Sequence, residues 1–128
     1  MKVNSSFCHY NFNVLDLDKS IKFYEEALGL KEKRRKNAKD GSFILVYLED
    51  GNTDFELELT WLKDWNKPYD MGDNEVHLCV KVDGDYEEIH KYHREKGWVC
   101  YENNDMNLYF IVDPDNHWIE VLAKDRLL

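Results

Sequence analysis

The feature that most constrains this chain is that its pattern is written twice. Adding 68 to a residue number carries His9 to His77, Val14 to Val82, Ile21 to Ile89, Tyr24 to Tyr92 and Gly29 to Gly97. A constant offset of this kind marks a duplicated supersecondary unit, because equivalent positions keep their spacing when a module is copied. From Glu58 to Glu120 the offset is 62, so the second copy has lost six residues, most simply from its hairpin connections.

Each copy reads β-α-β-β-β. Residues 7–14, FCHYNFNV, alternate Cys8, Tyr10, Phe12 and Val14 against Phe7, His9, Asn11 and Asn13, which makes a strand with one apolar and one polar face. Leu17, Ile21, Tyr24 and Leu28 then recur at helical spacing, with Asp18 expected to cap the start and Gly29 to end the helix. Residues 30–35 and 42–48 are expected as strands joined by a polar connection, and residues 54–61 alternate Phe55, Leu57 and Leu59 against Glu56, Glu58 and Thr60. Residues 62–74 have no period and hold Pro68 and Gly72, which predicts a linker. The pattern restarts with a strand at 76–82. A capping box of Asp85 and Glu88 then opens a helix through Ile89 and Tyr92 to Gly97. Strands at 99–102, 108–112 and 117–123 follow, the last two joined by the turn Asp113-Pro114-Asp115-Asn116. The expected organisation is one α+β domain of two tandem βαβββ modules, residues 1–61 and 75–128, with residues 62–74 between them.

Composition removes several function classes. Lys and Arg number 17 against 26 Asp and Glu, a formal net charge of -9, which repels nucleic acid and anionic membranes. The longest apolar run, residues 43–48, is too short to cross a bilayer. Cys8, Cys79 and Cys100 are odd in number and form no CxxC pair, so they read as reduced thiols of a cytoplasmic protein.

The chemistry sits on the polar faces. In residues 117–123, Ile119, Val121 and Ala123 share one face while Trp118, Glu120 and Leu122 share the other, which sets a carboxylate among apolar neighbours. Each copy thus places one His on its first strand, His9 or His77, and one Glu on its last, Glu58 or Glu120, away from the face its helix covers. If the two curved sheets share a concave cavity, two imidazoles and two carboxylates converge in it. Such a set suits a divalent ion, Zn, Ni, Co or Mn, with water completing the coordination. The ion also explains how two carboxylates stay charged in an apolar pocket. Glu56 shares the face of Glu58, and Glu58 is preferred because it lies at the strand centre. His90, His93 and His117 are expected in solvent, Cys79 as a packing residue, and residues 31–36, KEKRRK, as a solvated strand edge.

These residues resemble a known family. Asp16-Leu17-Asp18-Lys19-Ser20 through Phe23-Tyr24 to Leu28-Gly29-Leu30, the triplet Glu58-Leu59-Thr60, His77, and Asp113-Pro114-Asp115 followed by Ile119-Glu120 are similar to glyoxalase I (lactoylglutathione lyase) in the vicinal oxygen chelate superfamily. The resemblance spans nearly the whole chain. It implies the glyoxalase/bleomycin-resistance/dihydroxybiphenyl dioxygenase fold, a homodimer, and a metal held by His9, Glu58, His77 and Glu120. The implied substrate is the hemithioacetal of methylglyoxal and a thiol, in the family glutathione. It also implies that one of Glu58 and Glu120, first Glu120, moves a proton between adjacent carbons through an enediolate that the metal stabilises.

The chain departs from the family where glutathione is bound. Asn13 stands where the family often has Arg, Leu62 where it has Asn, and no Lys or Arg occurs between Gly97 and Ala123. Two other readings follow from the same scaffold. One is a metal-free module that sequesters a small aromatic or cationic molecule between Trp61, Trp65, Tyr109 and Trp118. The other is another metal-enolate enzyme, such as an epimerase.

Overall fold

The computed structural model describes residues 1–128, which form two compact units, Met1–Tyr69 and Asp70–Leu128. In the first, β1 (His9–Asn13), β2 (Lys31–Asn37), β3 (Phe43–Glu49) and β4 (Glu56–Leu62) form a mixed sheet of order β1-β4-β3-β2. The first and last strands of the unit are parallel neighbours, with Asn11 opposite Glu58, and the remaining pairings are antiparallel. Since β1 and β2 are both edge strands, the helix between them, α1 (Leu17–Leu28), returns the chain from one edge to the other.

Alternation along β4 delivers Leu57 and Leu59 to one face, where they are buried with Val46 and Leu48 of β3 and Phe12 of β1. Leu17, Ser20, Phe23, Tyr24 and Ala27 are the buried residues of α1, and the Phe12 and Tyr24 rings lie 6.4 Å apart between centroids. Each fully buried aliphatic side chain here contributes about 1.5–3 kcal/mol relative to exposure. The helix is capped by Asp16, whose carboxylate accepts the Lys19 N–H at 3.1 Å, rather than by Asp18. Asp18 lies one turn position too late for the first orphan amides and instead supplies negative charge to the positive end of the helix. Gly29 ends it in the left-handed conformation, φ 69°, that residues with a Cβ resist.

The second unit repeats the topology: β5 (Leu78–Val82), α2 (Tyr86–Glu95), β6 (Val99–Asn103), β7 (Leu108–Val112) and β8 (Trp118–Ala123), in order β5-β8-β7-β6. Asp85 caps α2 by accepting the Glu88 N–H at 3.1 Å. The face that α2 turns to its sheet differs from the sequence expectation. His90 and His93 are buried, while Tyr92 is exposed. His90 stacks on Tyr109 with ring centroids 3.8 Å apart, and His93 Nδ1 meets the Tyr109 hydroxyl at 2.8 Å. The Tyr86 hydroxyl donates to the Val121 carbonyl at 3.1 Å. The helix is thus seated on the sheet through aromatic rings whose polar atoms find partners inside, so hydrophobicity alone selects the wrong stripe. His117 is also buried rather than solvated, its ring bound to Asp113 across the β7–β8 turn at 2.8 Å.

Between β4 and β5 there is no helix or strand. Within that stretch Trp65 stacks on Tyr69, centroids 5.1 Å apart, and its indole N–H donates to the Lys67 carbonyl. No helix is long and apolar enough to cross a membrane.

Candidate metal centre

The face of each sheet opposite its helix carries the predicted ligands. In the first unit, β1 begins at His9 and Glu58 is the third residue of β4, and the parallel pairing brings His9 Nε2 to 3.6 Å from Glu58 Oε1. In the second, His77 immediately precedes β5, and its Nε2 lies 3.4 Å from Glu120 Oε1. Each unit therefore assembles one imidazole and one carboxylate. No cluster of three or more His, Cys, Asp or Glu side chains capable of holding a metal is formed.

Both separations exceed an ordinary N–H···O hydrogen bond of about 2.7–3.2 Å. Two donors bound at right angles to one ion at about 2.0–2.2 Å stand roughly 3 Å apart. Imidazole nitrogen and carboxylate oxygen are moreover a donor set that suits divalent transition ions without thiolate. Each pair taken by itself has a spacing that fits two adjacent sites on one ion. The histidines are open to solvent, with 38% of each side chain exposed, whereas Glu58 and Glu120 are mostly covered.

The surroundings of the two carboxylates differ. Tyr47 of β3 lies opposite Glu58 and donates its hydroxyl to Glu58 Oε2, leaving Oε1 toward His9. That hydrogen bond, followed by desolvation, raises the phenol above its ordinary range, while Arg34 opposes the shift. The Arg34 guanidinium lies 3.6 Å from the Tyr47 ring centroid and donates to Glu56 Oε1 at 2.8 Å. Glu56 is thus committed to Arg34, with Lys33 Nζ at 3.9 Å from its other oxygen, and Glu58 is the carboxylate that faces His9. In the second unit the residue opposite Glu120 on β7 is Phe110, which has no hydroxyl. Its ring meets His77 edge to face, centroids 4.9 Å apart, as Tyr47 meets His9 at 5.8 Å. Cys79 on β5 lies opposite Glu120. Desolvation, then a hydrogen bond to Glu120 and its charge, pushes the Cys79 thiol up to about 12, so it is a poor nucleophile. All three cysteines are free.

Asn13 is occupied within the sheet: Asn11 Nδ2 donates to its Oδ1 at 2.7 Å, and Thr60 donates to Asn11 Oδ1. Trp118 accompanies Glu120 and packs against Phe110, centroids 5.5 Å apart. Tyr109, expected to line a binding cavity, is instead fully buried against His90 and His93 of α2. The strand edge Lys31–Asn37 is exposed as expected, yet Arg34 reaches back across the sheet. Sequence reasoning missed Tyr47 and Arg34. The signal was the alternation of β3, which puts Tyr47 on the face of Glu58, but reading it required the strand register.

Residues 6–121 match the Glyoxalase/Bleomycin resistance protein/Dioxygenase superfamily. Lactoylglutathione lyase of a serogroup A strain of Neisseria meningitidis is 33% identical over 122 residues, covering 91% of this chain and 88% of that protein. A probable lactoylglutathione lyase of Synechocystis is 32% identical, covering 89% of this chain and 92% of its own. Among solved structures, the trypanothione-dependent glyoxalase I of Leishmania major superposes with a TM-score of 0.82 at 30% identity, covering 94% of this chain and 88% of that one. Glyoxalase I from Zea mays gives 0.77 at 26% identity, covering 94% of this chain and 45% of that one.

Proposed function

The chain belongs to the glyoxalase/bleomycin resistance protein/dioxygenase superfamily, and from that premise we propose that it is a divalent-metal-dependent lactoylglutathione lyase of the glyoxalase I type. The observation that carries the reading is the pair of His–Glu couples, His9 with Glu58 and His77 with Glu120, at matching positions of two repeated units. The relatives named lactoylglutathione lyase support it. The substrate in this reading is the hemithioacetal of methylglyoxal and a thiol, glutathione first, and the product is the thioester of a 2-hydroxy acid.

His9, Glu58, His77 and Glu120 would together hold the ion, nickel or zinc ahead of cobalt or manganese. When bound, such a cation stabilises negative charge that develops on substrate oxygens only along the reaction path. Glu120, flanked by Phe110 and Trp118, takes the proton from the carbon bearing sulfur and returns it to the neighbouring carbon. The hydroxyl proton of the first carbon passes to the oxygen of the second, so the thioester forms with no atom gained or lost. Glu58 stays with Tyr47. The enzyme acts as a cytoplasmic homodimer in this account.

The test is metal content together with methylglyoxal/glutathione turnover, before and after addition of nickel, cobalt or zinc. Near one ion per chain with thioester formation is the expected result, and Glu58→Gln and Glu120→Gln each nearly abolish turnover. Full activity in both variants would refute the reading. Mixing the two variants separates ligands drawn from one chain, which leaves the mixture inactive, from ligands drawn from two. The latter restores about a quarter of wild-type turnover through the one intact site of each mixed dimer.

A further inference from the structure

The two halves carry the same ligand pair but not the same support. Opposite Glu58 across the antiparallel β3–β4 ladder stands Tyr47, and opposite Glu120 across β7–β8 stands Phe110. Both rings sit edge to face with the histidine of their own pair. The positions therefore differ by a hydroxyl, and that hydroxyl reaches Glu58 Oε2 while Oε1 is turned to His9. Tyr47 is itself held from behind. The Arg34 guanidinium lies against its ring and is tethered in turn to the buried carboxylate of Glu56.

We propose that Tyr47 is a positioning residue that fixes Glu58 as the rigid ligand of the pair, by occupying one carboxylate oxygen and presenting the other toward the imidazole of His9. The inference rests on the metal-dependent reading above. A carboxylate held through one oxygen has lost its rotational freedom before an ion arrives, so less ordering remains to be done on binding. Glu120, facing a phenyl ring and a thiol, has no equivalent anchor from β7. The built-in asymmetry assigns one glutamate to holding and leaves the other without a hydroxyl to fix it.

Tyr47→Phe recreates in the first unit the arrangement of Phe110 and removes only the oxygen. The readouts are Co2+ affinity by competition titration and the visible absorption spectrum of the Co2+-loaded protein, neither of which depends on turnover. Gly29→Ala, at the left-handed C-cap of α1 on the other face of the sheet, supplies a destabilised control. The expected result is a loss of about 10- to 100-fold in Co2+ affinity for Tyr47→Phe, with altered ligand-field bands. Gly29→Ala keeps both wild-type affinity and spectrum. Unchanged affinity and spectrum in Tyr47→Phe overturn the proposal while leaving the metal reading intact. So does an equal loss in Gly29→Ala, which reduces Tyr47 to a structural part. Failure of the wild-type protein to bind Co2+ overturns the proposal and the metal reading together.

Discussion

Replacing Asp113 gives a sharp test of how Glu120 is aimed, because the strand that carries it leaves the turn that Asp113 organises. Asp113 is buried, and its Oδ1 accepts the N–H groups of Asp115 at 3.0 Å and His117 at 2.8 Å. Its Oδ2 meets His117 Nδ1 at 2.8 Å. The backbone closes around it, with Asp113 N–H donating to the His117 carbonyl and Asn116 adopting φ 72°. Asp113→Ala removes these three bonds at about 0.5–1.5 kcal/mol net each, a loss of about 3 kcal/mol. For 128 residues the unfolding entropy is about 0.27 kcal/mol/K, so the melting temperature falls by roughly 10 °C. Asp113→Asn keeps the oxygen for both backbone amides and donates to Nδ1 of the other imidazole tautomer, so it costs only about 1 kcal/mol. Thermal and urea unfolding of the metal-free protein by circular dichroism measure both. A loss below about 1 kcal/mol for Ala, or equal losses for Ala and Asn, would refute the hydrogen-bond account of the turn.

Two further predictions concern ionisation. In the metal-free protein Cys79 should alkylate slowly with iodoacetamide near neutral pH and faster as pH climbs toward its value of about 12. Glu120→Gln should accelerate that reaction, as peptide mass spectrometry would read. The carboxyl of Glu102 is held below its ordinary range by hydrogen bonds from Arg94 first and His90 next. A depressed folded-state pKa makes its contribution present above the ordinary carboxylate range and lost as pH falls through the lowered value. The stability gap between wild type and Glu102→Gln in urea should therefore be widest near neutral pH and shrink in acid. A gap that widens in acid would contradict it.

The repeat, the eight strands and both helices were legible because alternation and helical spacing are local signals. The same rule that put Leu57 and Leu59 inside put Glu58 outside, and the structure brings His9 to Glu58 and His77 to Glu120 within each unit. The reading failed where burial is not apolar. His90 and His93 are inside because Tyr109 offers one a ring to stack on and the other a hydroxyl, a complementarity that no hydropathy scale contains. Either aspartate suits the composition of a first turn, so composition does not distinguish Asp18 from Asp16, and only backbone geometry makes Asp16 the cap of α1. Tyr47 was invisible for a third reason. Its importance lies in a cross-strand partner, and register follows from the assembled ladder rather than from either strand alone.

The parallel pairing of β1 with β4, and of β5 with β8, has a consequence in time. In each unit the histidine comes from the start of the chain segment and the glutamate from the end, and the two meet only when the terminal strand docks beside the first. That contact closes the longest loop of the unit, the kind of step that topology makes slow. During synthesis the histidine emerges well before its carboxylate, so a half-made unit has no paired ligands to offer. Under the proposed metal-dependent reading, ion capture would be deferred until the sheet is complete, and a bound ion would serve as a record that the unit has finished folding.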